Sequence, residues 1–86
     1  MNITQEFREI FSGEQAANEE EQDVLLDVLL FMRDDVENQM PKDVILTWKL
    51  KLTGVIEYLE ATGKINAEQL ERLIRIVKEI EGVDYE

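Results

Sequence analysis

The sequence predicts an all-α protein, a small antiparallel helical bundle with one short N-terminal helix followed by three longer helices. Apolar residues recur at helical spacing in four segments, and asparagine, glycine or proline bounds most of them. Only one segment also shows the alternation of a β-strand. A lone pair of strands is poorly stable in water, so a helical bundle is the favoured architecture.

The first helix is predicted from Ile3 to Phe11, with Asn2 or Thr4 as its N-cap. Its apolar residues share one face, which is typical of a short amphipathic helix. Ser12-Gly13 breaks the pattern, and the polar, glutamate-rich stretch after it reads as a linker. Residues 1–18 are therefore expected to form a short helix and an acidic linker.

The second helix is predicted from Glu19 to Met40 and carries the most apolar stretch of the chain. Eight of the ten residues from Asp23 to Met32 are apolar, which indicates a central helix buried in a bundle. The stretch has about half the length that a bilayer span requires, so it is expected to be core. Pro41 disfavours helical geometry in the residue before it and fits the first turn of the next helix.

Residues 42–63 allow two interpretations. Helical spacing places Ile45, Trp48, Leu52 and further apolar residues on one stripe, with Gly63 as the C-terminal cap. The segment Leu46–Thr53, however, also alternates between apolar and polar residues as a strand does. We favour the helix, because Gly54 inside it costs only about 1 kcal/mol relative to alanine.

The last helix is predicted to begin after Asn66, which forms a capping-box pattern with Gln69, and to end at Gly82. Its predicted stripe includes Ile74, whereas Ile76 lies off it. The whole chain, residues 1–86, is expected to be one helical domain with a three-helix core over 19–82 and a loose tail over 83–86.

Charge is unevenly distributed along the chain. The net charge is −11; residues 1–41 hold 11 acids and 2 bases (−9), and residues 42–86 hold 9 acids and 7 bases (−2). This sign disfavours direct nucleic-acid binding and favours a partner protein with a basic surface. The chain has no cysteine, and no signal-peptide or membrane-spanning pattern is apparent, so a cytoplasmic location is expected.

Catalysis without histidine or cysteine would have to rely on carboxylates. Glu6 and Glu9 form one spaced acidic pair, and Glu20 and Asp23 form another. Such pairs can hold Mg²⁺ through oxygen ligands, and the segment Asp23–Leu26 resembles the second motif of all-helical NTP pyrophosphatases of the MazG type. The first pair lies on a helix too short for that family, and no lysine or asparagine set for a nucleotide is present. The sequence therefore predicts a non-catalytic protein with no cofactor.

The favoured function is a protein–protein interaction module: an adaptor, regulator or inhibitor. Apolar residues outside the main stripes predict a second buried surface, for which a homodimer is the simplest use. The alternative is an acidic DNA-mimic-type inhibitor of a nucleic-acid-binding protein, with the Mg²⁺-dependent pyrophosphatase as a remote alternative. The candidate partner-binding residues are the acidic side chains Glu20, Asp23, Asp27 and Asp34 and the apolar side chains Leu26 and Leu30.

Overall fold

A computed structural model describes residues 2–13 and 15–82 of the chain. Over these residues the protein has four helices and no strand, which confirms the prediction of a small all-α bundle. The strand interpretation of residues 46–53 is wrong, because they lie inside the third helix. The predicted tail over 83–86 lies outside the described residues. The helices are α1 (Ile3–Ile10), α2 (Glu19–Glu37), α3 (Lys42–Ala61) and α4 (Ala67–Glu81).

Asparagine side chains cap three of the helices at their N-termini. The Asn2 side chain accepts a hydrogen bond from the Gln5 backbone N–H at 3.0 Å. Of the two predicted N-caps of α1, Asn2 and Thr4, Asn2 is therefore the one observed. Asn66 and Gln69 form the predicted capping box. Asn18 forms a further capping box with Glu21, which the sequence analysis did not assign. These caps fix the starts of α1, α2 and α4 locally.

The α2–α3 corner differs from its prediction. Helix α2 ends at Glu37, earlier than the predicted Met40, and Pro41 is the N-cap of α3 instead of a residue of its first turn. The Met40 N–H reaches back to the Asp35 carbonyl at 3.0 Å, and Gln39 adopts a left-handed backbone with φ of 56°. This is the geometry of a Schellman C-cap, in which glycine usually occupies the left-handed position. Because Gln39 stands there instead, the sequence carried no stop signal before Pro41.

All four helices contribute to one hydrophobic core. Helical spacing predicts a buried stripe of Leu25, Leu29, Met32 and Val36 on α2. The first three are fully buried, and Val36 is half-buried against the core. Helix α4 departs from prediction, because Ile76 is buried and Ile74 is exposed. Helix α1 covers part of α2 and α4, so the buried side of each is wider than one stripe. The fully buried side chains are Phe7, Leu25, Leu29, Met32, Leu52, Leu59, Leu73 and Ile76.

Polar contacts fix α1 against α4 and α2 against α3. The buried Gln69 donates to the Ile10 carbonyl at 3.2 Å, which ties the start of α4 to the end of α1. Asp35 near the end of α2 meets Trp48 near the start of α3, as in an antiparallel pair. For the bundle as a whole, the antiparallel order stays a prediction. In the described part of the chain, no helix combines the length and the apolar character needed to cross a membrane.

Candidate protein-binding site

An open apolar groove of about 520 Å³ runs between α2 and α3. Its α2 side is formed by Val24 and Val28, and its α3 side by Gly54, Val55 and Tyr58. We call it the α2–α3 groove. Val24 and Tyr58 are exposed large side chains, whereas Val28 and Val55 are half-buried and pack against the core. The groove is therefore a depression whose floor belongs to the core and whose edges are apolar and open to solvent.

Trp48 and Phe31 continue this apolar surface beyond the groove. Their rings stack with centroids 5.5 Å apart, and Phe31 is 53 % exposed. The Trp48 indole N–H donates to the Asp35 carboxylate, and the Lys51 ammonium lies 4.9 Å from the Trp48 ring centroid. Trp48 is half-buried and packs against the core, so it holds Phe31 in place while keeping one face near solvent. Phe31 belongs to the apolar stretch from Asp23 to Met32 that was expected to be buried, so its exposure is a correction to that expectation.

The predicted acidic side chains of α2 all lie at the surface. Glu20, Asp23, Asp27 and Asp34 are exposed, and we call them the acidic rail. These acids follow one another at three or four residues except between Asp27 and Asp34, and Phe31 occupies the position between those two on the same side of α2. The acidic rail thus runs beside the exposed edge of the α2–α3 groove, so a molecule lying in the groove would meet negative charge along one side.

The two apolar residues predicted to contact a partner are placed differently. Leu26 is only 6 % exposed and belongs to the core, so it is not accessible to a partner in this fold. Leu30 is half-buried and packs against the core. Their spacing separates them from the line of Leu25 and Leu29 on α2, but both pack in or against the common core. The exposed apolar residues of α2 are Val24 and Phe31 instead.

One ion pair closes the end of the α2–α3 groove. The Lys64 ammonium donates to both carboxylate oxygens of Glu21, at 2.8 and 2.7 Å. Glu21 also accepts from the Asn18 backbone N–H in the capping box of α2. The hydrogen bond from Lys64, and after it the one from Asn18, hold the pKa of Glu21 below its usual range. Glu21 in turn raises the pKa of Lys64, so both groups stay charged and keep the loop after α3 against the start of α2.

The two pairs of spaced carboxylates considered for Mg²⁺ lie in different surroundings. Glu6 and Glu9 approach the Arg72 guanidinium at 3.9 and 3.8 Å, which joins α1 to α4. Glu20 and Asp23 lie on the exposed acidic rail. Across residues 2–13 and 15–82, no three or more carboxylates gather in a way that could hold a metal ion. Glu6 and Glu9 are thus engaged with α4, whereas Glu20 and Asp23 face solvent.

No protein-family model matches this chain, and neither the curated proteins nor the solved structures include a significant match to it. The class of protein that fold and surface define is therefore a small acidic helical bundle with an exposed apolar groove.

Proposed function

We propose that this protein is a non-catalytic protein–protein interaction module whose partner docks in the α2–α3 groove. The observation that carries the proposal is the apolar α2–α3 groove with Val24 and Tyr58 exposed at its edges, together with the exposed Phe31, which follows the groove residue Val28 by one turn of α2. Contiguous exposed apolar surface of this kind marks interaction sites in proteins of this size. The absence of cysteine fits action in the cytoplasm.

The acidic rail specifies the chemistry of the partner. A segment lying in the groove passes beside Glu20, Asp23, Asp27 and Asp34, so basic side chains on its flank meet opposite charge. A groove between two helices accepts an amphipathic helix, which inserts its apolar face and leaves its polar flank at the rim. The expected partner element is therefore a basic amphipathic helix. Apolar contact supplies most of the affinity, and the acids steer association.

Two designed peptides test this proposal. Both carry the same leucine face at helical spacing, and their polar positions are lysine in one and glutamate in the other. Isothermal titration calorimetry should detect binding of the lysine peptide and clearly weaker binding of the glutamate peptide, because like charges then face each other along the acidic rail. Raising salt from about 0.05 M to about 0.5 M should slow association and leave the complex intact, because screening acts on the charges and not on the apolar contact.

Matched variants locate the contact. Phe31→Ser should weaken binding of the lysine peptide at least tenfold, because it removes the exposed aromatic ring that extends the apolar surface beyond the groove. Ile74→Ser changes an exposed apolar residue on α4, away from the groove, and should leave binding unchanged. Equal effects of the two substitutions would show that the peptide binds by non-specific apolar contact and would refute the proposal.

The DNA-mimic alternative predicts the opposite pattern. In that case the acidic rail carries the affinity, and exchange of its four residues for asparagine or glutamine abolishes binding while Phe31→Ser has little effect. The same salt increase then weakens the complex by orders of magnitude. These results would replace the groove with the acidic rail as the functional surface.

A further inference from the structure

The two edges of the α2–α3 groove carry opposite charge. On the α2 side, the acidic rail runs along the exposed edge of the groove. On the α3 side, the exposed residues that line the groove are Lys51, Gly54 and Tyr58, and of these three only Lys51 is charged. The groove is therefore acidic along one edge and basic on the other, in a chain whose net charge is −11.

The Lys51 ammonium is available to a carboxylate of a bound molecule. It lies 4.9 Å from the centroid of the Trp48 ring, which places its charge at the end of the groove away from the Glu21–Lys64 pair. Within residues 2–13 and 15–82, no carboxylate forms an ion pair with Lys51. Lys51 is thus the α3 counterpart of the acidic rail, with the opposite sign.

The order of residues around α2 gives this charge arrangement a handedness. Asp23 on the acidic rail, Val24 in the groove and the buried Leu25 are consecutive, and residues 27–29 repeat the same order. A right-handed α-helix viewed from its N-terminus turns clockwise by about 100° per residue. Seen along α2 from its N-terminus, with the groove uppermost, the acidic rail therefore lies to the left and α3 lies to the right.

A helix lying in the groove presents a different flank to α2 in each of its two directions, although its apolar face points into the groove in both. We call the flank formed one residue after its apolar residues the following flank, and the flank formed one residue before them the preceding flank. When the bound helix runs parallel to α2, its following flank lies on the left, beside the acidic rail. When it runs antiparallel to α2, its preceding flank lies there.

We propose that the α2–α3 groove selects the direction in which its partner helix binds, with the acidic rail and Lys51 as the two specificity determinants. A partner helix with bases on its following flank and an acid on its preceding flank binds parallel to α2, because both flanks then meet opposite charge. The reverse direction brings like charges together at both edges. This inference rests on the proposed function and specifies the partner of the same site.

Two peptides of identical composition test the selection of direction. Both carry the same leucine face; the first has lysines on its following flank and glutamates on its preceding flank, and the second has the two flanks exchanged. Each bears a nitroxide at its N-terminus, which broadens the amide signals of nearby residues. Residues 20 and 34 lie about 21 Å apart along α2, at 1.5 Å of rise per residue. The first peptide should broaden the residue 20 signal at least tenfold more than the residue 34 signal, and the second peptide should give the reverse.

Charge changes on the protein test the two determinants. When the four acids of the rail are exchanged for asparagine or glutamine and Lys51→Glu is added, the acidic edge moves to α3, so each peptide should bind in the opposite direction. Lys42→Glu, in place of Lys51→Glu on the same background, makes the same change in net charge at an exposed residue that begins α3, outside the groove. It should leave each peptide in its original direction, because Lys51 is retained.

The outcomes separate this inference from the proposed function. If neither peptide binds the wild-type protein, the partner groove is refuted, and the selection of direction with it. If both peptides bind in the same direction, or broaden residues 20 and 34 equally, the selection of direction alone is refuted. A combined variant that fails to reverse the two peptides, or no longer binds them, also overturns it.

Discussion

Leu29→Ala probes the centre of the core. Leu29 is 0 % exposed and lies in the middle of α2, with core side chains from the other helices around it. Truncation removes three buried carbon atoms and leaves a cavity that a rigid bundle fills only in part. Substitutions of this kind destabilise by about 2–5 kcal/mol. A domain of this size has a total stability of about 4–13 kcal/mol, so the variant should lose a large fraction of it.

Urea denaturation followed by circular dichroism measures this loss. With a slope of about 1 kcal/mol per molar urea, expected for a small protein, the midpoint should fall by about 2 M or more. Leu50→Ala is the matched control, because the same atoms are removed from a side chain that is 65 % exposed. At concentrations where the protein is monomeric, it should change stability by less than about 0.5 kcal/mol. Equal midpoints for the two variants would contradict the assignment of α2 as the central helix.

Three further predictions follow from the caps and the groove. Gln39→Gly should stabilise the protein by about 0.5–1 kcal/mol in urea denaturation, because the left-handed backbone at φ of 56° suits glycine; Gln39→Ala should give no such gain. Gln69→Ala should destabilise by about 1–3 kcal/mol, since it removes the side-chain acceptor of the Asn66 N–H and leaves the Ile10 carbonyl without its donor; an unchanged midpoint would refute this role. Glu21→Gln should lower stability most near neutral pH. The lowered pKa of Glu21 gives stability that is lost as pH falls through it, and the raised pKa of Lys64 gives stability that is lost as pH rises through it, so wild type and variant should converge at both extremes of a pH series.

The sequence predicts this fold well where the signal is local. The capping box of Asn66 with Gln69, the glycine that ends α4 and the stripe through Leu29 each depend on residues within a few positions of one another. The end of α2 was predicted too late, because Gln39 adopts the left-handed backbone conformation that glycine or asparagine usually occupies. For residues 46–53, alternation and helical spacing coincide, and only the packing of α3 against α2 decides between them.

The sequence predicts which acidic residues of the candidate site are exposed, but it does not predict which apolar residues are. The acidic rail is exposed because burying an unpaired carboxylate is costly, and this holds for any arrangement of the neighbouring helices. Spacing shows which apolar residues share a line of α2 but not which neighbouring helix covers that line. Leu26 is therefore buried in the core, whereas Phe31 is left exposed beside Trp48. The α2–α3 groove arises from two helices together, and no single stretch of sequence contains it.

Backbone and indole chemical shifts of the labelled protein, recorded as the lysine peptide is added, test the central claim most directly. The largest shift changes should fall on Val24, Phe31, Gly54 and Tyr58 and on the indole N–H of Trp48, the single tryptophan of the chain. Residues of α4 on the far side, such as Ile74, should hardly move. Changes confined to the acidic rail, or spread evenly over all four helices, would contradict a partner site in the α2–α3 groove.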